Sequence, residues 1–270
     1  MAQKVKYKDL FALLSTRQFD TAEPVLKRYL AETTDNPNAY LYMAIILQEK
    51  GMKDDILRNT QEAVWHMDSA VINYTKAYNM IDEKELKRNK DYYAMYNRRD
   101  VRTGEYGVKL PDIQYTIEKA NEELRERIDK VKMIKHYFVQ TVQLYQKSNE
   151  LFLAVQEPFN NENELYLRSD ETLIKSLQQL SLRFDSCQKA FDHYKIAVGN
   201  LPKSGYNQSW NLTTIRDLKT DGREVADFYE ADLKIWNYKA FADNAIAVIN
   251  SEILPIREQL VKTDMGINKL

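Results

Sequence analysis

From Ile117 an apolar residue returns every seven positions: Leu124, Val131, Phe138, Tyr145 and Phe152 follow. Ala120, Ile134 and Val155 hold the companion position three residues on, with Arg127, Thr141 and Ser148 between them. This is the seam of a long amphipathic helix. Neither Gly nor Pro interrupts Asp112 to Val155, so the helix is expected to run on the order of 65 Å. Such a helix cannot bury its seam against itself. Other parts of the chain must run beside it.

Two later segments fit that role. Ser169-Asp170 is a good N-cap, and acid follows in the first turn at Glu171. Leu173, Leu177, Leu180, Phe184, Cys187, Phe191, Tyr194 and Val198 then alternate by four and three up to Gly199, with Pro202 beyond. The turn before it, around Asn160-Asn161-Glu162-Asn163, is short enough to make the two helices antiparallel neighbours. A third segment starts near Arg223, after a loop containing Trp210. Phe228, Ile235, Ala242, Ile249 and Ile256 recur in sevens, with Ile246, Ile253 and Leu260 beside them. Pro255 is expected to kink it by crowding Ser251. With only 7 Gly and 6 Pro in 270 residues, a turn-rich β fold is excluded. The fold expected is all-α: N-terminal helical hairpins packed on a bundle of long antiparallel, coiled-coil-like helices.

The first part of the chain has a different pattern. Leu10, Leu13, Phe19, Ala22, Leu26 and Leu30 fall at helix-pair spacing, and Gln18 to Glu23 reads as a turn into a second helix. Asn36-Pro37-Asn38-Ala39-Tyr40 looks like a junction, followed by Tyr40, Met43, Ala44, Leu47 and Gly51. These residues resemble the tetratricopeptide repeat, at its aromatic, large, small, large and glycine positions. Gly51 is expected to close its helix in a left-handed cap. The pattern then departs, with Ile56 where a small residue belongs. A matching second helix appears only at Ala70, Tyr74 and Ala77, so Asp54 to Asp82 reads as one lengthened helix. The resemblance covers about 80 residues, dividing the chain into 1–83 and a long-helix part, 84–270. Two repeats fall short of the roughly three that solenoids need, so the pair must dock on something else.

The resemblance implies a partner-holding face on each repeat's first helix: Tyr7, Phe11 and Leu14, then Leu41, Ile45 and Gln48. That face is apolar and lacks the Lys and Asn pattern that clamps a terminal carboxylate. A helix or extended apolar segment suits it better. The chain's own long helices could equally cover it. A second candidate is the stretch 84–109, where Lys87, Arg88, Lys90, Arg98 and Arg99 are interleaved with Tyr92, Tyr93, Tyr96 and Tyr106. Basic residues among aromatics can hold phosphates and stack bases. Opposing acids and a net charge of −1 argue against nucleic acid and for a solvated helix face with a Tyr-lined loop, Thr103 to Gly107.

Catalytic signatures are lacking. His66, His136 and His193 lie on separate helices, none with metal-ligand spacing. No nucleophile elbow, P-loop or dinucleotide glycine pattern occurs. The lone Cys187 sits on an apolar face, where a free Cys serves as a small hydrophobe. No stretch approaches a membrane span. The reading is a non-enzymatic scaffold that binds another protein and uses neither cofactor nor metal. Self-association through exposed heptad faces is a further expectation. Met1-Ala2-Gln3 fits an exported chain whose leader is replaced by Met1, so a periplasmic location is favoured over a cytoplasmic one, in a bacterial cell-envelope assembly. Leu270 follows Gly266 without a tail, as in one piece of a longer protein.

Overall fold

Helical periodicity accounts for nearly all that is observed. The computed structural model of the chain describes residues 5–102, 104–201, 216–217, 223–224 and 228–267. Beyond two antiparallel ladders of two residues each, the regular elements described are helices, giving an all-α fold. The loop expected around Trp210 lies outside the described residues. Two compact units divide the chain, one holding the described residues up to Met133 and the other those from Ile134 on. The division therefore falls inside the long helix, whereas the sequence pattern changes at residue 83. The reason is local: residues 84–109 and the start of the long helix pack back on the N-terminal helices.

In the first unit, α1 (Tyr7–Ser15) and α2 (Phe19–Glu32) form a hairpin, followed by α3 (Pro37–Lys53) and α4 (Thr60–Met80). The turn between α1 and α2 places Arg17 at φ 58, in the left-handed region. Its guanidinium pairs with Glu49 and lies 5.1 Å from the Phe19 ring centroid. Asn36 caps α3 by accepting from the Ala39 N–H at 3.1 Å, with Pro37 in the first turn where it forfeits no bond. Almost every residue of α3 up to Leu47 is buried, so this is the unit's central helix.

Two expectations change here. Gly51 does not end its helix in a left-handed cap. It lies within α3, which continues to Lys53. Its role is close approach: a Cβ there would stand 2.7 Å from Met67 Cγ and 3.1 Å from the Ala63 carbonyl. The lengthened helix expected from Asp54 also starts later, at Thr60. Asp55 Oδ1 accepts from the N–H groups of Leu57 and Arg58, a side-chain turn that competes with helix and holds residues 54–59 irregular. Ile56 is buried within that turn.

A short α5 (Glu83–Arg88), capped by Asp82, leads into a tight 3-10 stretch, Lys90–Tyr96. Next comes a hairpin of β1 (Arg98–Arg99) and β2 (Tyr106–Gly107), with Gly104 at φ 75 in its loop. Two-residue strands carry no readable alternation, which is why the sequence showed only a loop. The long helix α6 (Leu110–Gln156) begins beside it, and Tyr78 on α4 donates to Glu118 at 2.7 Å.

The second unit is built on the latter part of α6, α8 (Glu171–Gly199) and α9 (Phe228–Val248), with the short α7 (Glu162–Leu167) at one end. Phe138 meets Tyr194, and Tyr145 meets Phe184, so α8 runs antiparallel to α6. Tyr238 on α9 packs on Tyr145, Phe152 and Phe184. Every member of the heptad run from Ile117 to Phe152 is buried. Its polar companions Thr141 and Ser148 satisfy their hydroxyls on the helix's own carbonyls, Tyr137 and Leu144, at 2.8 and 2.7 Å. Cys187 Sγ lies fully buried, 3.8 Å from the Thr141 carbonyl, and burial pushes its thiol up to about 12.

Pro255 acts through a π-helical turn, Ile249–Ile253, before α10 (Leu254–Ile267). The proline has no N–H and its ring crowds the Ser251 carbonyl, and the widened turn relieves both faults. One extra residue per turn rotates the downstream side chains by about 100°. The seam expected at Ile256 and Leu260 is exposed, at 54% and 61%, and no residue from Leu254 to Met265 is buried on any face of α10. Arg257 instead turns toward the α7–α8 loop, donating to the Leu167 and Ser169 carbonyls.

Both the tight helix crossing and the polar seam have measurable effects on stability. Gly51→Ala should cost about 1–3 kcal/mol in urea unfolding, because Met67 and the α4 backbone must retreat. Arg127 is 5% exposed, and among the described residues nothing hydrogen-bonds its Nε, Nη1 or Nη2. Burial lowers its pKa below the ordinary arginine value, yet an arginine stays ionised and carries the desolvation cost. Arg127→Met should therefore raise the unfolding free energy by about 1–4 kcal/mol, read in the same titration.

Candidate functional site

The face formed by Tyr7, Phe11, Leu14, Leu41, Ile45 and Gln48 is assembled within the first unit, and the chain itself occupies much of it. Leu14 and Leu41 have no exposed surface. Tyr92, from the 3-10 stretch, lays its ring 5.1 Å from Tyr7, edge-on, and 4.7 Å from Phe11. Phe11 also meets Tyr42 edge-on at 5.8 Å. Gln48 is engaged by Tyr74, whose hydroxyl donates to its side-chain oxygen at 2.6 Å. Tyr7, Phe11, Ile45 and Gln48 keep partial exposure.

Asn38 fixes this arrangement. It is fully buried, and its amide works in both directions. Oδ1 accepts from the Tyr7 hydroxyl at 2.6 Å, while Nδ2 donates to the Tyr92 carbonyl at 2.9 Å. One side chain thus ties α1, α3 and residue 92 together. Burial holds the Tyr7 phenol protonated, well above its usual range, so it remains a donor. Nearby, Tyr93 is fully buried and donates to Glu85 at 3.1 Å, which closes α5 onto the 3-10 stretch.

Beside the filled groove a cleft of about 660 Å³ remains open. One wall is a single face of α1: Lys8, Phe11, Ala12 and Ser15, at helical spacing. The other is the run Lys87 to Tyr92. Phe11 and Tyr92 give it an aromatic floor. Lys8, Lys87, Arg88 and Lys90 stand around it, and Asp91 is the one carboxylate in its lining. The fold therefore brings three of the five basic candidates together with a residue of the apolar face. Arg98 and Arg99 lie on the hairpin and do not line the cleft, and the Arg99 guanidinium donates to the Gly104 carbonyl at 3.3 Å.

Sequence reasoning overlooked Lys8 and Asn38. A signal for each was present. Lys8 precedes Phe11 by three residues and Ser15 by seven, so it shares their face. Asn38 begins the stripe that continues to Leu41 and Ile45. A polar residue on an apolar stripe implies a buried partner.

Elsewhere the described residues contain no group of three or more His, Cys, Asp or Glu placed to hold a metal ion. His66 Nδ1 lies 2.7 Å from Asp54 Oδ2 at the foot of α4. His193 packs on the Tyr137 ring at 5.1 Å, and His136 contacts the same ring at 5.4 Å. None of the described helices is long and apolar enough to cross a membrane. Comparison with protein-family models, with curated proteins and with solved structures finds no match to this chain.

Asn38→Ala removes both bonds and strands a hydroxyl and a carbonyl. It should cost about 1–3 kcal/mol. Amide hydrogen exchange should quicken across residues 90–96 and stay unchanged in α8.

Proposed function

We propose that this chain is a non-enzymatic scaffold that holds another protein, and that docking centres on the cleft between α1 and residues 87–92. The observation that carries this reading is the aromatic floor. Phe11 and Tyr92 are partly exposed, yet each is fixed from behind by other rings and, for Tyr92, by Asn38. Rigid, amphipathic surface of this kind loses little entropy on binding. The reading narrows the partner face implied by the repeat resemblance. Leu14 and Leu41 support it from beneath, and Tyr7, Phe11 and Ile45 present its accessible edge. A periplasmic setting within a cell-envelope assembly belongs to the same proposal.

The alternative is a phosphate-ligand or nucleic-acid module using Lys87, Arg88, Lys90, Arg98 and Arg99. The convergence of the first three on one cleft favours it. The placement of Arg98 and Arg99 on the hairpin weighs against a continuous track for a nucleic-acid backbone.

Affinity capture from the source cells, with crosslinking, tests the scaffold reading. Wild type is compared with Phe11→Ala after circular dichroism shows both folded. A partner crosslinked to residues 8–15 or 87–92 of wild type, and lost with Phe11→Ala, is the expected result. Equal recovery of every partner by the two proteins would overturn it.

A further inference from the structure

We infer that the cleft binds an acidic polypeptide segment, its carboxylates meeting Lys8, Lys87, Arg88 and Lys90 and an apolar side chain lying over Phe11 and Tyr92. This rests on the scaffold reading and names its partner's chemistry.

The charges are the first ground. Elsewhere on this chain many lysines have a carboxylate at helical spacing: Lys27 with Glu23, Lys130 with Glu126, Lys189 with Asp185, Lys262 with Glu258. Around the cleft only Lys87 has such neighbours four residues away, Glu83 and Asp91, and it pairs with neither. Four residues to either side of Arg88 stand Lys84 and Tyr92, and of Lys90, Leu86 and Ala94. Four residues beyond Lys8 stands Ala12. Among the described residues none of the four cations forms an ion pair. Four like charges around one cavity repel one another, and an anionic ligand relieves that repulsion.

The second ground is the mixture of chemistries. The cations ring a floor of two aromatic rings, so a ligand of charge alone would leave the floor wet. A ligand of apolar groups alone would leave the cations unanswered. A polypeptide alternating acidic and apolar residues satisfies both, because neighbouring side chains of an extended strand point to opposite sides and reach different walls. Nucleic acid fits less well. Its phosphates need cations along a path, and here they are gathered at one cleft with Asp91 in the lining and Glu83 nearby on α5.

Fluorescence polarisation with the full chain tests this. The probes are a labelled peptide of glutamates around a central tryptophan, the same peptide with glutamines, and a labelled single-stranded oligonucleotide. The expected result is binding of the glutamate peptide, weakened by salt, with the glutamine peptide and the oligonucleotide at least about 10-fold poorer. Lys87→Glu with Arg88→Glu, checked by circular dichroism, should weaken it by about 10-fold or more. Lys8→Glu with Lys90→Glu provides a second pair should the first fail to fold. Arg98→Glu with Arg99→Glu should leave it within about 2-fold. Equal binding of the two peptides, indifference to both cleft pairs, or preference for the oligonucleotide would each overturn the inference. Should the glutamate peptide fail while capture is still lost with Phe11→Ala, the acidic chemistry falls and the scaffold reading stands. Should capture be indifferent to Phe11→Ala as well, both fall.

Discussion

The amide of Asn38 is the bond on which the N-terminal unit's working surface depends. Fully buried at the start of α3, it accepts from the Tyr7 hydroxyl and donates to the Tyr92 carbonyl. A buried amide left unsatisfied is costly, so the two bonds make the surrounding geometry close to obligatory. Through them α1 is held against α3, and the 3-10 stretch is drawn over the apolar face. The cleft is the space left open beside that closure. Its floor and one wall come from segments that Asn38 ties together.

A different economy operates in the second unit. There the constraint is the seven-residue stride of α6, and aromatic side chains supply the packing: Phe138 on Tyr194, Tyr145 on Phe184, Tyr238 among them. Polar residues on the seam are tolerated where they can turn inward on their own helix. Thr141 and Ser148 do this through the carbonyl four residues back. The long guanidinium of Arg127, earlier on the same seam, cannot, and it is the buried group that packing least explains.

Much of the fold was legible in the sequence, for physical reasons. α6 and α8 announce themselves because a half-buried helix must repeat its apolar residues at near its own pitch, and Asp170 marks the start of α8 as a cap. Features outside that periodicity were not legible. The β1–β2 hairpin is too short to alternate. The turn at 54–59 depends on one Asp55 side chain, and the role of Gly51 depends on the residues α4 places beside it. The site was half visible. The apolar face and the basic run could each be read locally. Their meeting at one cleft could not, because it needs Tyr92 to fold back across 54 residues to Asn38.

The exposed helix α10 shows how composition and burial can be uncoupled. Side chains of Ile256 and Leu260 follow the same order and spacing as those that are buried upstream, yet they face solvent. Nothing in their identity decides this. Beyond the π turn no residue from Leu254 to Met265 is buried, and Arg257 reaches back to the α7–α8 loop. The apolar stride therefore outlasts the packing it serves, and past the π turn it meets water.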